Sequence, residues 1–251
     1  MKKVKYHEML PHEIMERRAQ FPAAFIGLGV LEWHSEHLAV GLDALKAEKL
    51  CELAAERSGG FAFPTLWYGE PRTVDLMEGK HDHDGKIKAH MGFKAECFSP
   101  DYPGFGRNPE EQRQFYQDLI FHILVQMHTL EMRAVCLLCG HYPLHPIALK
   151  AVERFNAAFT GTKAFAGTEL DFAGPSKEVG GDHAGRWETS YLWYLRPDCV
   201  DLSIYLHRQE EPLVGILGED PRNSASIQLG RKAVGAIVEG MVAKAKELME
   251  G

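Results

Sequence analysis

Two short apolar runs, each with glycine at or next to its end and opening into a histidine-bearing turn, narrow most what this chain can fold into. The first is Ala23-Ala24-Phe25-Ile26-Gly27-Leu28-Gly29-Val30 and the second Arg133-Ala134-Val135-Cys136-Leu137-Leu138-Cys139-Gly140. Neither alternates apolar with polar residues, so both suit strands buried on two faces, as in a parallel sheet covered by helices. Amphipathic stretches supply the helices. Residues 43–57 carry Leu45, Leu50, Leu53 and Ala54, with Asp43 where an N-cap is expected. Further helices are predicted over 110–130, 146–159, 189–195 and 224–249. Additional strands are predicted over 61–69, weakly at 165–168, and at 200–205 from its alternation. Residues 70–101 and the Pro103-Gly104-Phe105-Gly106 turn read as loop. Strands separated by helices predict an α/β three-layer sandwich, a mainly parallel sheet with helices on both faces. No repeat or linker divides residues 1–251, so one domain is expected.

Ligand sites in such sheets gather at the carboxyl ends of strands. After the first run comes Glu32-Trp33-His34-Ser35-Glu36-His37-Leu38-Ala39-Val40-Gly41-Leu42-Asp43. Imidazole nitrogen with carboxylate oxygen suits zinc, manganese or iron(II), although read by itself the segment is as compatible with a solvated polar loop. After the second run comes His141-Tyr142-Pro143-Leu144-His145. A third cluster, Gly180-Gly181-Asp182-His183-Ala184-Gly185-Arg186-Trp187-Glu188-Thr189-Ser190, precedes a predicted helix. Independent polar loops rarely supply histidine plus acid three times over. A fourth run, His81-Asp82-His83-Asp84, is balanced between a solvated loop and a substrate contact.

The charge balance excludes some functions. With 28 basic and 35 acidic residues the net charge is −7, which disfavours nonspecific binding to nucleic acid or anionic membranes. No run approaches the roughly 18 apolar residues of a spanning helix, and the N-terminus has no signal-peptide pattern. The 5 cysteines are odd in number and scattered, so a cytoplasmic protein with reduced thiols is expected.

The three clusters resemble the creatininase (creatinine amidohydrolase) family. Its pattern Gly-Ser-x-Glu-x-His-Gly-x-His-Leu-Pro, followed by a nearby Asp, is similar to Gly29 through Ala39 with Asp43. Its Asn-Gly-His is similar to Cys139-Gly140-His141, and its His-Ala-Gly-Glu-x-Glu-Thr-Ser to His183 through Ser190. Gly218-Glu219-Asp220-Pro221 echoes a late Gly-Asp-Pro. The resemblance implies two divalent metal ions per chain (Zn, Mn or Fe(II)). Glu32 and His141 would hold one ion and His34 the other, with Asp43 bridging. It also implies a metal-activated water that attacks a carbonyl of a small polar cyclic substrate, hydrolysing the C–N bond of a cyclic amide or formamide. Ring-opening C–C hydrolysis of a keto-inositol or related keto-cyclitol is the alternative activity, and a non-catalytic metal-binding member a third.

This chain departs from the pattern at several points. Pro143 stands where creatininase has a carboxylate ligand, and Glu188 is the replacement expected, ahead of His145. His183 and Glu188 are the catalytic candidates. Tyr142, His81, His83, Trp187 and Arg186 are the substrate-binding candidates, and His37 is expected to support the first loop. Pro143, Arg186 and the His81–Asp84 run argue against creatinine as substrate. A small-molecule substrate and a homo-oligomer, a hexamer by resemblance, complete the expectation.

Overall fold

Side chains along β1 (Ala23–Leu28) are buried on both faces of the sheet. Ala24, Ile26 and Leu28 enter one core, whereas Ala23 and Phe25 enter the other. This computed structural model describes residues 3–69, 71, 73–98, 108–176 and 178–250. The sheet also contains β2 (Phe61–Ala62), β3 (Ala134–Cys139) and β4 (Lys163–Gly167). All neighbours are parallel, in the order β2-β1-β3-β4. Ten α-helices are described: α1 (Pro11–Gln20), α2 (Leu42–Ser58), α3 (Met77–Lys80), α4 (Lys86–Met91), α5 (Pro109–Thr129), α6 (His145–Ala158), α7 (Glu169–Ala173), α8 (Arg186–Leu195), α9 (Pro221–Ser224) and α10 (Ile227–Glu250).

Helices α5 and α6 close the first face with Ile120, Leu124, Ala148 and Phe155. Helices α2 and α10 close the second with Leu50, Ala54, Ile237 and Met241. The outcome is the α/β sandwich expected. The same alternation separates Cys136 from Cys139, which enter opposite cores. Burial pushes the Cys136 thiol up to about 12, so these are inert apolar side chains. No helix among the described residues is long and apolar enough to cross a membrane.

Several expectations are corrected. Residues 70–101 are not simply loop, because α3, α4 and a 3-10 turn at Ala95–Phe98 lie there. The predicted strand at 200–205 is a 3-10 turn, Leu202–Tyr205, whose first residues are held by the Asp201 carboxylate accepting from the Ser203 N–H. Only Val200 pairs, in a single bridge with Leu38. Leu66 likewise makes one bridge, to Leu28, so the 61–69 strand is short. Asp43 is not the N-cap of α2; Gly41 is, and Asp43 lies buried in the first turn. Helix α8 starts earlier than predicted, at Arg186. The Pro103–Gly106 turn falls outside the described residues.

Candidate metal centre

Two glycines bring the sheet's carboxyl edge onto the start of α2. A Cβ at Gly29 would run into the backbone of Ala44, and one at Gly140 into the carbonyl of Asp43. Without side chains at these positions, the loops after β1 and β3 press against the first turn of α2, where Asp43 sits. The loop after β1 delivers Glu32 and His34, and the loop after β3 delivers His141. The Gly-rich segment before α8 delivers His183, and the first turn of α8 delivers Glu188. Glu32, His34 and Asp43 are buried almost completely, His141 and Glu188 nearly so.

The donor atoms form adjoining groups. Nδ1 of His141 lies 3.1 Å from Oε2 of Glu32 and 3.2 Å from Oδ2 of Asp43. Nε2 of His34 lies 3.4 Å from Oδ1 of Asp43 and 3.6 Å from Oε2 of Glu188. Asp43 therefore turns one oxygen toward each group. A third group joins Glu32, His34 and His183, with Nδ1 of His183 3.9 Å from Oε2 of Glu32 and its ring stacked on His34 at 4.3 Å.

These separations suit ligands of shared ions. Two donors bound to one zinc at about 2.0–2.2 Å stand roughly 3–3.5 Å apart. Oε2 of Glu32, Nε2 of His34 and Oδ2 of Asp43 are also buried without a hydrogen-bond partner, a cost that a coordinated cation removes. The residues present thus fit a pair of divalent ions.

Surrounding groups orient the donors. The His34 Nδ1–H donates to the carbonyl of Glu32 at 3.0 Å, which turns its Nε2 toward Asp43 and Glu188. The His183 Nε2–H donates to the carbonyl of Trp33 at 2.8 Å, so its Nδ1 lone pair faces inward. Glu32 accepts from the Met77 N–H through Oε1 at 2.7 Å, and Glu188 accepts from the Ala184 N–H through Oε2 at 2.9 Å. Burial would push His34 down, but Asp43, Glu188 and Glu32 outweigh it and hold it up at about 9. Burial opposes ionisation of Glu32 too, but His141, His183 and His34 hold its carboxyl below the usual range. The carboxylates thus create a strong demand for positive charge. Burial and the nearby His34 lower His183, keeping it neutral.

A cavity of about 330 Å³ opens over these donors, and Tyr142, His81, Lys80, Asp75 and Asp182 line it beside the metal-binding groups. His83 faces a neighbouring surface hollow. Arg186 and Trp187 do not line the cavity. Arg186 pairs outward with Glu219 at 3.1 Å, and Trp187 packs beside Tyr191 with ring centroids 6.2 Å apart. His145 stands apart, 3.8 Å from Asp171. His37 bonds to the Thr189 hydroxyl at 2.8 Å and tethers the first loop to α8.

Sequence reasoning missed Lys46 and Glu169. Both are fully buried, and Nζ of Lys46 lies 2.9 Å from Glu169 and 2.9 Å from Glu188. Burial works against the charge on Lys46, but Glu169, Glu188 and Asp43 overcome it and keep the amine protonated. One signal was available: Lys46 falls midway between Leu42 and Leu50 on the apolar stripe of α2.

Comparison with known proteins gives the same direction. None of the curated proteins matches the chain by sequence. Among solved structures, a Glu-to-Gln mutant creatininase complexed with creatine aligns with TM-score 0.70 and 20% identity over 100% of both chains. A Glu-to-Gln mutant creatininase of Zn-Zn type gives TM-score 0.68 and 20% identity over 100% of both chains. A creatininase described with Mn gives TM-score 0.68 and 19% identity over 100% of both. At such identities these likenesses establish the fold. The family model described as creatinine amidohydrolase matches residues 7–80 and 112–245, most of the chain. The chain belongs to the creatininase family and is a metal-dependent hydrolase of the creatininase type.

Proposed function

We propose that this protein holds two divalent ions and hydrolyses the C–N bond of a small polar cyclic amide or formamide. The observation that carries this reading is Asp43, whose two oxygens each face a separate histidine-and-carboxylate group. Glu32, Asp43 and His141 would hold one ion, and His34, Asp43 and Glu188 the other. The ions, when bound, lower the pKa of water toward neutrality and polarise a carbonyl. The creatininase relatives of Zn-Zn and Mn type support those metals here.

His183 is the proton carrier. Its Nε2–H is committed to Trp33, so Nδ1 is the atom free to exchange a proton. A neutral imidazole there accepts the proton of the attacking water and returns it to the departing nitrogen. Tyr142 and His81 line the cavity and contact the substrate.

Ring opening of a keto-cyclitol is the second reading. The polar rim of Asp75, Lys80, His81 and Asp182 favours it, since these groups match a hydroxyl-rich ring. A chromatographic assay of the metal-loaded protein with cyclic amides and keto-inositols separates the two. Turnover of keto-inositols alone would overturn the C–N assignment. One catalytic domain, a homo-oligomer and a cytoplasmic location belong to the same proposal. Free Cys51, Cys97, Cys136, Cys139 and Cys199 support the location.

A further inference from the structure

The most unusual interaction beside the metal centre is the Lys46–Glu169 pair, which none of the roles above uses. Lys46 is fully buried between two carboxylates, with the Tyr142 and Tyr191 rings each 5.9 Å from its Nζ. A buried ion pair generally stabilises a fold less than apolar side chains of similar volume. Its place suggests what it does. Lys46 donates to Oε1 of Glu188 at 2.9 Å, whereas Oε2 accepts from Ala184 and faces His34. The two oxygens of one carboxylate are therefore assigned to different partners.

We propose that Lys46 is a positioning residue that withholds Oε1 of Glu188 from the metal centre. Glu188 then offers the ion beside His34 one oxygen, and a coordination position stays open, as catalytic sites require. Glu169 anchors the other side of the ammonium and fixes its direction. The inference rests on Glu188 being a metal ligand.

Its test is metal binding. Lys46→Met/Glu169→Leu removes both charges together, and Lys46→Leu/Glu169→Met is a second packing solution. Calorimetric titration of the metal-free proteins with Mn2+ alone should show the first ion binding as in the wild type. The second should bind about tenfold more tightly, because Oε1 is released to chelate. With Co2+ as the only metal, visible absorption should weaken as the coordination number rises. A merely structural pair predicts looser binding of both ions, or no change. Looser or unchanged binding of the second ion in a cooperatively melting variant overturns the proposal, as does failure of both variants to fold. Wild-type protein that takes up no second Mn2+ would instead sink the two-ion reading beneath it.

Discussion

The runs 32–43 and 81–84 are both rich in histidine and acid, yet the fold treats them differently. In the first, Glu32, His34 and Asp43 are buried and point to one place. In the second, His81 and His83 are exposed and only Asp82 is buried. Asp82 accepts from the Ile87 and Lys88 N–H groups at 2.9 Å each and thus closes the start of α4. Donor spacing is similar in kind, but only the first run leaves a buried strand and meets a helix that glycine allows close. A metal centre needs that convergence more than it needs a dense motif.

Breaking the first run should have the largest effect. Asp43→Asn keeps the volume but removes the charge that both groups share. Metal content measured by plasma emission should fall below about one ion per chain, and activity by more than roughly 100-fold. Full metal content in this variant would defeat the bridging role. Stripping the wild type with a chelator should lower its melting temperature by about 10 °C, from roughly 3–4 kcal/mol of lost binding stabilisation. Asp43→Asn should be nearly insensitive to the chelator.

The second run should respond in the opposite sense. Asp82→Ala removes acceptors at the start of α4 and should cost about 1–2 kcal/mol, measured by urea unfolding of the metal-loaded protein, with metal content unchanged. His83→Ala should leave kcat and KM unchanged. His81→Ala should raise KM a few-fold because His81 lines the cavity. Equal kinetic effects from the two would show that the run acts as one unit.

This contrast also explains what was legible in the sequence. The apolar runs ending at Gly29 and Gly140 announce buried strands because no half-exposed strand tolerates them. The acids and imidazoles that follow are therefore visible as a site. What escaped is set by tertiary contact. The alternation at 200–205 does not become a strand because its pairing with the 37–39 segment stops at Val200, and Asp201 closes a tight turn instead. Arg186 and Trp187 neighbour Glu188 in sequence, but the helical turn of α8 directs them elsewhere, toward Glu219 and Tyr191. Lys46 reads as a solvated lysine until α7 and α8 are seen to bring Glu169 and Glu188 over the same stripe.

The smallest predicted effect compares a left-handed residue of the first run with the left-handed glycine that directly follows the second. Ser35 has φ 59°, and Gly85 has φ 71°. Ser35 occupies the position that is Gly in the family pattern, and its hydroxyl lies 3.0 Å from the Tyr205 hydroxyl. Ser35→Ala keeps the backbone strain and loses that bond, so it should destabilise by about 1 kcal/mol. Ser35→Gly loses the same bond but relieves about 1 kcal/mol of strain, part of which is cancelled by the greater freedom of the unfolded chain. It should therefore lie between Ser35→Ala and the wild type. At Gly85 an added Cβ meets nothing within 4 Å, so Gly85→Ala reads the backbone cost less the freedom lost by the unfolded chain, a net of about 1 kcal/mol or less. Urea unfolding of the three variants measures each contribution. If Ser35→Gly proves as destabilising as Ser35→Ala, backbone strain is not what distinguishes the first loop. The Tyr205 contact then accounts for the whole effect at Ser35.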